Sequence, residues 1–144
     1  MTTIAVRDGV MACDSLAIDG STRIMCEKIY RMPDGTILGG AGSSAAIEAF
    51  LTARRKGESC TLTEEDRKSF VVAVLHPDGS IMRWEDERCG WKVLDGFHAI
   101  GSGAQAAMAA MHMGADAVKA VEIAKLVNAD TGGPVVSMSI AEQS

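Results

Sequence analysis

At 144 residues, 47% of them apolar and 23% charged, the chain reads as one globular domain over residues 1–144, long enough to bury a core. A net charge of −5 with no long basic run excludes a nucleic-acid or anionic-membrane surface. No stretch is long and apolar enough to span a bilayer. Cys13, Cys26, Cys60 and Cys89 lie far apart with no signal peptide ahead of them, so reduced thiols in a cytoplasmic protein are expected.

In chain order, TIAVR and VMACD joined by Asp8-Gly9 predict a β-hairpin. IYRMPDGTILGG and VVAVLHPDGSIMRW each place a Pro-Asp-Gly turn between two apolar runs and predict two further hairpins. Between them SSAAIEAFLTARRKG has a serine start, a glycine stop and an apolar stripe at Ala46, Ala49, Phe50 and Ala53, which predicts a helix. Arg54-Arg55-Lys56 at its end complements the helix dipole. TLTEEDRKS has capping residues but room for only a turn or two. WKVLDGFHAIG reads as two short strands, AQAAMAAMHMG and ADAVKAVEIAKLVNA as alanine-rich helices, and PVVSMSIAE as a closing strand. Hairpins with clustered helices indicate an α+β fold, two facing sheets covered by helix layers.

The chemistry-bearing residues each have a plain structural reading beside a functional one. Removal of Met1 ahead of the small Thr2 would leave an α-amine beside a β-hydroxyl, a nucleophile and a base in one residue. Lys28, near such an amine, would keep it neutral by like-charge repulsion. The two-residue turn sets Asp14 opposite Thr3, a geometry suited to holding a lysine. Both charges would otherwise be solvated strand ends. GGAGSSA, leading from a strand into a helix, offers backbone N–H groups for an oxyanion or simply a tight turn. Ser102 with Gln105 reads as a helix capping box. GSGAQA mimics a dinucleotide fingerprint, but no βαβ unit with a following acidic residue supports that reading. Asn128, Asp130 and Thr131 with Gly132-Gly133 form a turn from which a side chain could lean toward the terminus. His76, His98 and His112 have no metal-ligand spacing, and neither a metal nor an organic cofactor is expected.

Taken together, the N-terminal Thr-Thr, the hairpin ending in Asp14, Lys28 before an apolar pair, Ala41-Gly42 opening a helix, Gly101-Ser102-Gly103 opening another, and Thr131-Gly132-Gly133 before a strand resemble the proteasome β-subunit family. Within it the chain is most similar to small bacterial or phage-type HslV-like peptidases, from Thr2 to about Ile140. The resemblance implies a four-layer αββα sandwich of the N-terminal nucleophile hydrolase type. It also implies a threonine endopeptidase that hydrolyses peptide bonds of unfolded polypeptide within a homo-oligomeric ring, fed by an ATP-dependent unfoldase. By position, Thr2 would be nucleophile and, through its amine, base. Asp14 and Lys28 would tune it, and Gly42 (or Gly40) would donate the oxyanion N–H. Ser102 would bond near the amine, and Thr131 would supply the last hydroxyl. Asn128 stands where the family commonly has an aspartate, the first hairpin is a little shorter than the family's, and the second central helix has almost no counterpart. Two other readings stay open on sequence: a catalytically silent ring or scaffold subunit, and hydrolysis of a small-molecule amide.

Overall fold

The computed structural model describes residues 2–142; the expected removal of Met1 lies outside the described residues. The chain is mixed α+β. In order it forms β1 (Thr3–Arg7), β2 (Val10–Cys13), β3 (Leu16–Asp19), β4 (Thr22–Met25), β5 (Ile29–Arg31), β6 (Ile37–Gly42), α1 (Ser44–Lys56) and α2 (Glu64–Arg67). Then follow β7 (Phe70–Leu75), β8 (Ile81–Trp84), β9 (Gly90–Val93), β10 (Phe97–Gly101), α3 (Ala104–His112), α4 (Ala117–Val127) and β11 (Val136–Ser139). One antiparallel sheet has the strand order β10-β1-β2-β11 and another β5-β6-β7-β8-β9, while β3 and β4 pair only with each other. The two strands of WKVLDGFHAIG therefore part company, β9 on the edge of one sheet and β10 on the edge of the other.

Strand alternation explains the core. Ile4 and Val6 of β1 and Met11 and Cys13 of β2 point toward the second sheet, where they pack with Ile37, Ala73 and Leu75. The intervening Ala5 and Ala12, with Ala99 of β10, face the small side chains of α3 and α4. Because both faces are covered, these strands carry almost no polar residues. On the far side of the second sheet, Leu38, Val72 and Val74 meet Ala46, Phe50 and Leu51 of α1. Ala49, expected in that stripe, is exposed; Ala46, Phe50 and Ala53 are buried as expected, and the buried face widens on the other side to take in Leu51.

The β3–β4 hairpin is an element beyond those that the sequence pattern predicts. Its signal is Gly20-Ser21, a two-residue loop between Asp19 and Thr22 with Gly20 at φ 61°. The exposed strand β4 lacks the apolar alternation by which strands are normally recognised.

The segment after α1 is held by a side chain rather than by a second long helix. The Glu87 carboxylate, 1% exposed, accepts the Leu62 N–H at 2.7 Å and Arg67 Nε at 2.7 Å. Burial pushes Glu87 up, but the hydrogen bonds from Arg67 and Leu62 outweigh it and hold the carboxyl below the usual range. A lowered native pKa stabilises the fold above the free-glutamate range and loses that effect as pH falls through the native value. Glu87→Gln is accordingly expected to cost about 1–3 kcal/mol near pH 7, read by urea denaturation, and to cost less in acid. A loss that does not shrink with falling pH would show that the charge on Glu87 is not what matters.

Candidate active site

The N-terminal strand is pinned by the loop leading into α3. The Ser102 N–H donates to the Thr2 carbonyl at 2.8 Å, and the Gly103 N–H donates to Thr3 Oγ1 at 3.1 Å. Both flanking glycines are dictated by this closeness. Gly101 sits at φ +98°, where a Cβ would run into the Thr2 carbonyl, and a Cβ on Gly103 would strike Thr3 Oγ1. The sequence Gly-Ser-Gly is thus a clamp on the first two threonines.

Behind the clamp runs a chain of hydroxyls. Thr3 is fully buried, and its Oγ1 lies 2.7 Å from Thr131 Oγ1, which is 2.9 Å from Asn128 Oδ1. An amide oxygen carries no proton, so Thr131 donates to Asn128 and Thr3 must donate to Thr131. Ser102 Oγ also donates to Asn128 Oδ1 at 3.2 Å, and Asn128 Nδ2 donates back to the Ser102 carbonyl at 3.2 Å. Asn128 therefore joins the α3 and β11 approaches. Ser102 is not the helix cap that its spacing to Gln105 suggests. Helix α3 starts at Ala104 with Gly103 as its uncapped N-terminal neighbour, leaving the Ser102 hydroxyl free to turn to Asn128 and, at 3.5 Å, the Thr2 carbonyl.

Register alone sets Asp14 against Thr3, since Ile4 pairs with Cys13. The Asp14 carboxylate is completely buried. Its Oδ1 accepts the Thr3 N–H at 3.0 Å and Lys28 Nζ at 2.9 Å, and its Oδ2 accepts the Gly132 N–H at 3.1 Å. Lys28 Nζ also donates to the Leu16 carbonyl at 2.6 Å. A buried pair persists only when its remaining valences are filled, and here backbone groups fill them. The neighbouring Cys13 thiol is pushed up to about 12, chiefly by burial and then by the Asp14 charge, with Lys28 pulling the other way. It stays protonated and is no nucleophile.

Thr2, Lys28, Gly40, Gly42 and Ser102 all line one cavity of about 690 Å³, with the first turn of α1 along its edge. Gly42 ends β6 immediately before Ser43, whose side chain caps α1 and whose N–H is taken by the Ser69 carbonyl at 2.6 Å. Of the residues singled out by sequence, Thr2, Lys28, Gly42 and Ser102 meet at the cavity. Asp14, Asn128 and Thr131 lie among their supports. Thr3 is the residue sequence reasoning passed over as a working part, although a hydroxyl on the inward, fully covered register of β1 was the available signal.

No protein-family model matches the sequence, and no curated protein does. Solved structures do. Thiobacillus denitrificans BPH aligns at TM-score 0.69 with 22% identity over 96% of this chain and 97% of its own. Eukaryotic HslV from Trypanosoma brucei aligns at TM-score 0.68 with 19% identity, over 95% of this chain and 97% of that one. The chain has the HslV-type fold. The Anbu (Gly-1) mutant from Hyphomicrobium sp. strain MC1 aligns at TM-score 0.67 with 15% identity, covering 95% of this chain and 80% of its own. Coverage this complete makes the HslV-type likeness one of the whole architecture, the short α2 segment notwithstanding.

Proposed function

We propose that the protein is a threonine peptidase subunit that uses Thr2, once Met1 is removed, as nucleophile and base. The observation that carries this reading is the clamped Thr2 facing a cavity beside a lysine whose charge is fixed by a buried aspartate. In the proposed step the Thr2 hydroxyl gives its proton to the α-amine as Oγ attacks the substrate carbonyl. The Gly42 N–H receives the developing oxyanion. The protonated amine then delivers its proton to the leaving nitrogen, the C–N bond breaks, and an ester on Thr2 remains. Water, deprotonated by the same amine, hydrolyses that ester and restores the hydroxyl. Lys28 keeps the amine neutral between steps. Ser102, Asn128 and Thr131 orient the terminus.

Asn128 serves this site as an amide rather than as a carboxylate. It accepts from two hydroxyls and donates to a third group, whereas an aspartate could not donate to the Ser102 carbonyl. The two sheets with α3 and α4 on one outer face and α1 on the other fit a four-layer αββα sandwich with one helix layer shortened, forming one domain over residues 1–144. A homo-oligomeric ring is the assembly proposed with this reading. Unfolded polypeptide is the proposed substrate, a cytoplasmic setting the proposed location and an ATP-dependent unfoldase the proposed feeder. Among the described residues no helix is long and apolar enough to cross a membrane.

The test is the intact mass of the purified protein after exposure to a peptide epoxyketone, which needs both a threonine hydroxyl and a free α-amine to close its ring. One adduct on a chain lacking Met1 is expected. A chain without Met1 that takes no adduct would refute the nucleophile.

A further inference from the structure

We propose that the cavity beside Thr2 selects substrates with a cationic side chain, arginine or lysine, next to the scissile bond, and that Glu27 and Glu48 are the residues that select it. This rests on Thr2 being the nucleophile. Glu27 precedes Lys28 directly, and Glu48 lies one turn along α1 from Ser44, so the two approach the cavity from different elements.

The charges of this cavity are not balanced pairwise. Lys28 is committed to Asp14 and the Leu16 carbonyl. Lys68, on the rim, is ion-paired with Glu65 at 3.3 Å. Among the described residues neither Glu27 nor Glu48 has an ion-pair partner, which leaves two carboxylates as the unmatched charges. Both act on one place. The Tyr30 phenol is pushed up first by burial and next by the charges of Glu27 and Glu48. The guanidinium of Arg55 stands 5.9 Å from the Tyr30 ring, yet Arg55 is not among the residues lining this cavity.

The wall suits the rest of such a side chain. Gly40 has no side chain, and Ile47 of α1 covers its Cα. A long aliphatic stem can lie along Ile47 while its charged end reaches the carboxylates, the division of surfaces that lysine and arginine require. A leucine would fill the apolar part but leave both carboxylates unmatched, and a glutamate would meet like charges. Partly solvated ion pairs are individually weak, so two of them predict a preference on the order of tenfold rather than thousands.

The experiment compares three peptide epoxyketones differing only in the residue next to the warhead: arginine, leucine and glutamate. Labelling rates are read by intact mass. The arginine probe is expected to react about tenfold faster than the leucine probe and faster still than the glutamate probe. Glu27→Gln and Glu48→Gln should each lower the arginine-to-leucine ratio, the double variant should bring it near one, and Glu48→Lys should favour glutamate. A leucine probe that reacts as fast as arginine overturns the inference while leaving Thr2 as nucleophile. An arginine preference that survives in the double variant overturns the assignment to these two residues. If no probe labels the chain, the nucleophile reading fails and the inference with it.

Discussion

Thr2→Ala is expected to lower peptide hydrolysis by at least about a thousandfold and to leave the folded protein intact. Alanine is small enough for Met1 still to be removed, so the α-amine is kept and only the attacking oxygen is lost. The structural cost should stay within about 0.5 kcal/mol, because what the fold uses of Thr2 is its carbonyl, which receives the Ser102 N–H, and alanine supplies the same group. The adjacent residue should behave in the opposite way. Thr3→Val removes a buried hydroxyl that accepts from Gly103 and donates to Thr131, stranding both partners away from water. That substitution is expected to cost roughly 1–3 kcal/mol in urea denaturation. Under the proposed mechanism two neighbouring threonines divide the labour, one for chemistry and one for support. Wild-type turnover in Thr2→Ala would sink the mechanism, and an unchanged denaturation midpoint in Thr3→Val would show that its hydroxyl chain stabilises nothing.

What could be read from sequence was what depends on local rules. Asp8-Gly9 fixes a two-residue turn, that turn fixes the register, and the register puts Asp14 across from Thr3 without any tertiary information. The Pro-Asp-Gly turns and the Ser43–Gly57 caps are local in the same sense. Two of the departures come from long-range closure. Ser102 looks like a cap because Gln105 follows at the right spacing, but Asn128, 26 residues away in sequence, competes for the hydroxyl. Thr3 and Thr131 are 128 positions apart, and nothing in either neighbourhood says that their oxygens will be 2.7 Å from each other. Ala49 carries no decisive signal because alanine is equally at home on a buried or an exposed helix face, whereas Leu51 is not. Asn128 could be recognised as a departure from a pattern, but its bridging geometry required the fold.

The second large effect is expected at the Asp14–Lys28 pair, where structural and chemical roles can be separated. Asp14→Asn leaves the Lys28 ammonium 94% buried against a neutral amide, and Lys28→Met leaves the carboxylate with its two backbone N–H donors but no cation. Each single substitution is expected to destabilise the fold by about 3–5 kcal/mol, mostly the penalty for an uncompensated buried charge. The double substitution removes both charges and should cost clearly less than the sum, an asparagine still being able to accept one of the backbone N–H groups. Turnover should follow a different rule. If Lys28 keeps the Thr2 amine neutral, restoring stability in the double variant cannot restore the rate, because no cation then faces the amine. Urea denaturation and peptide hydrolysis on the same four proteins therefore give two independent cycles. Strictly additive stabilities would mean that the 2.9 Å contact carries no coupling, and turnover that recovers along with stability would reduce the pair to a scaffold for the strand that presents Thr2.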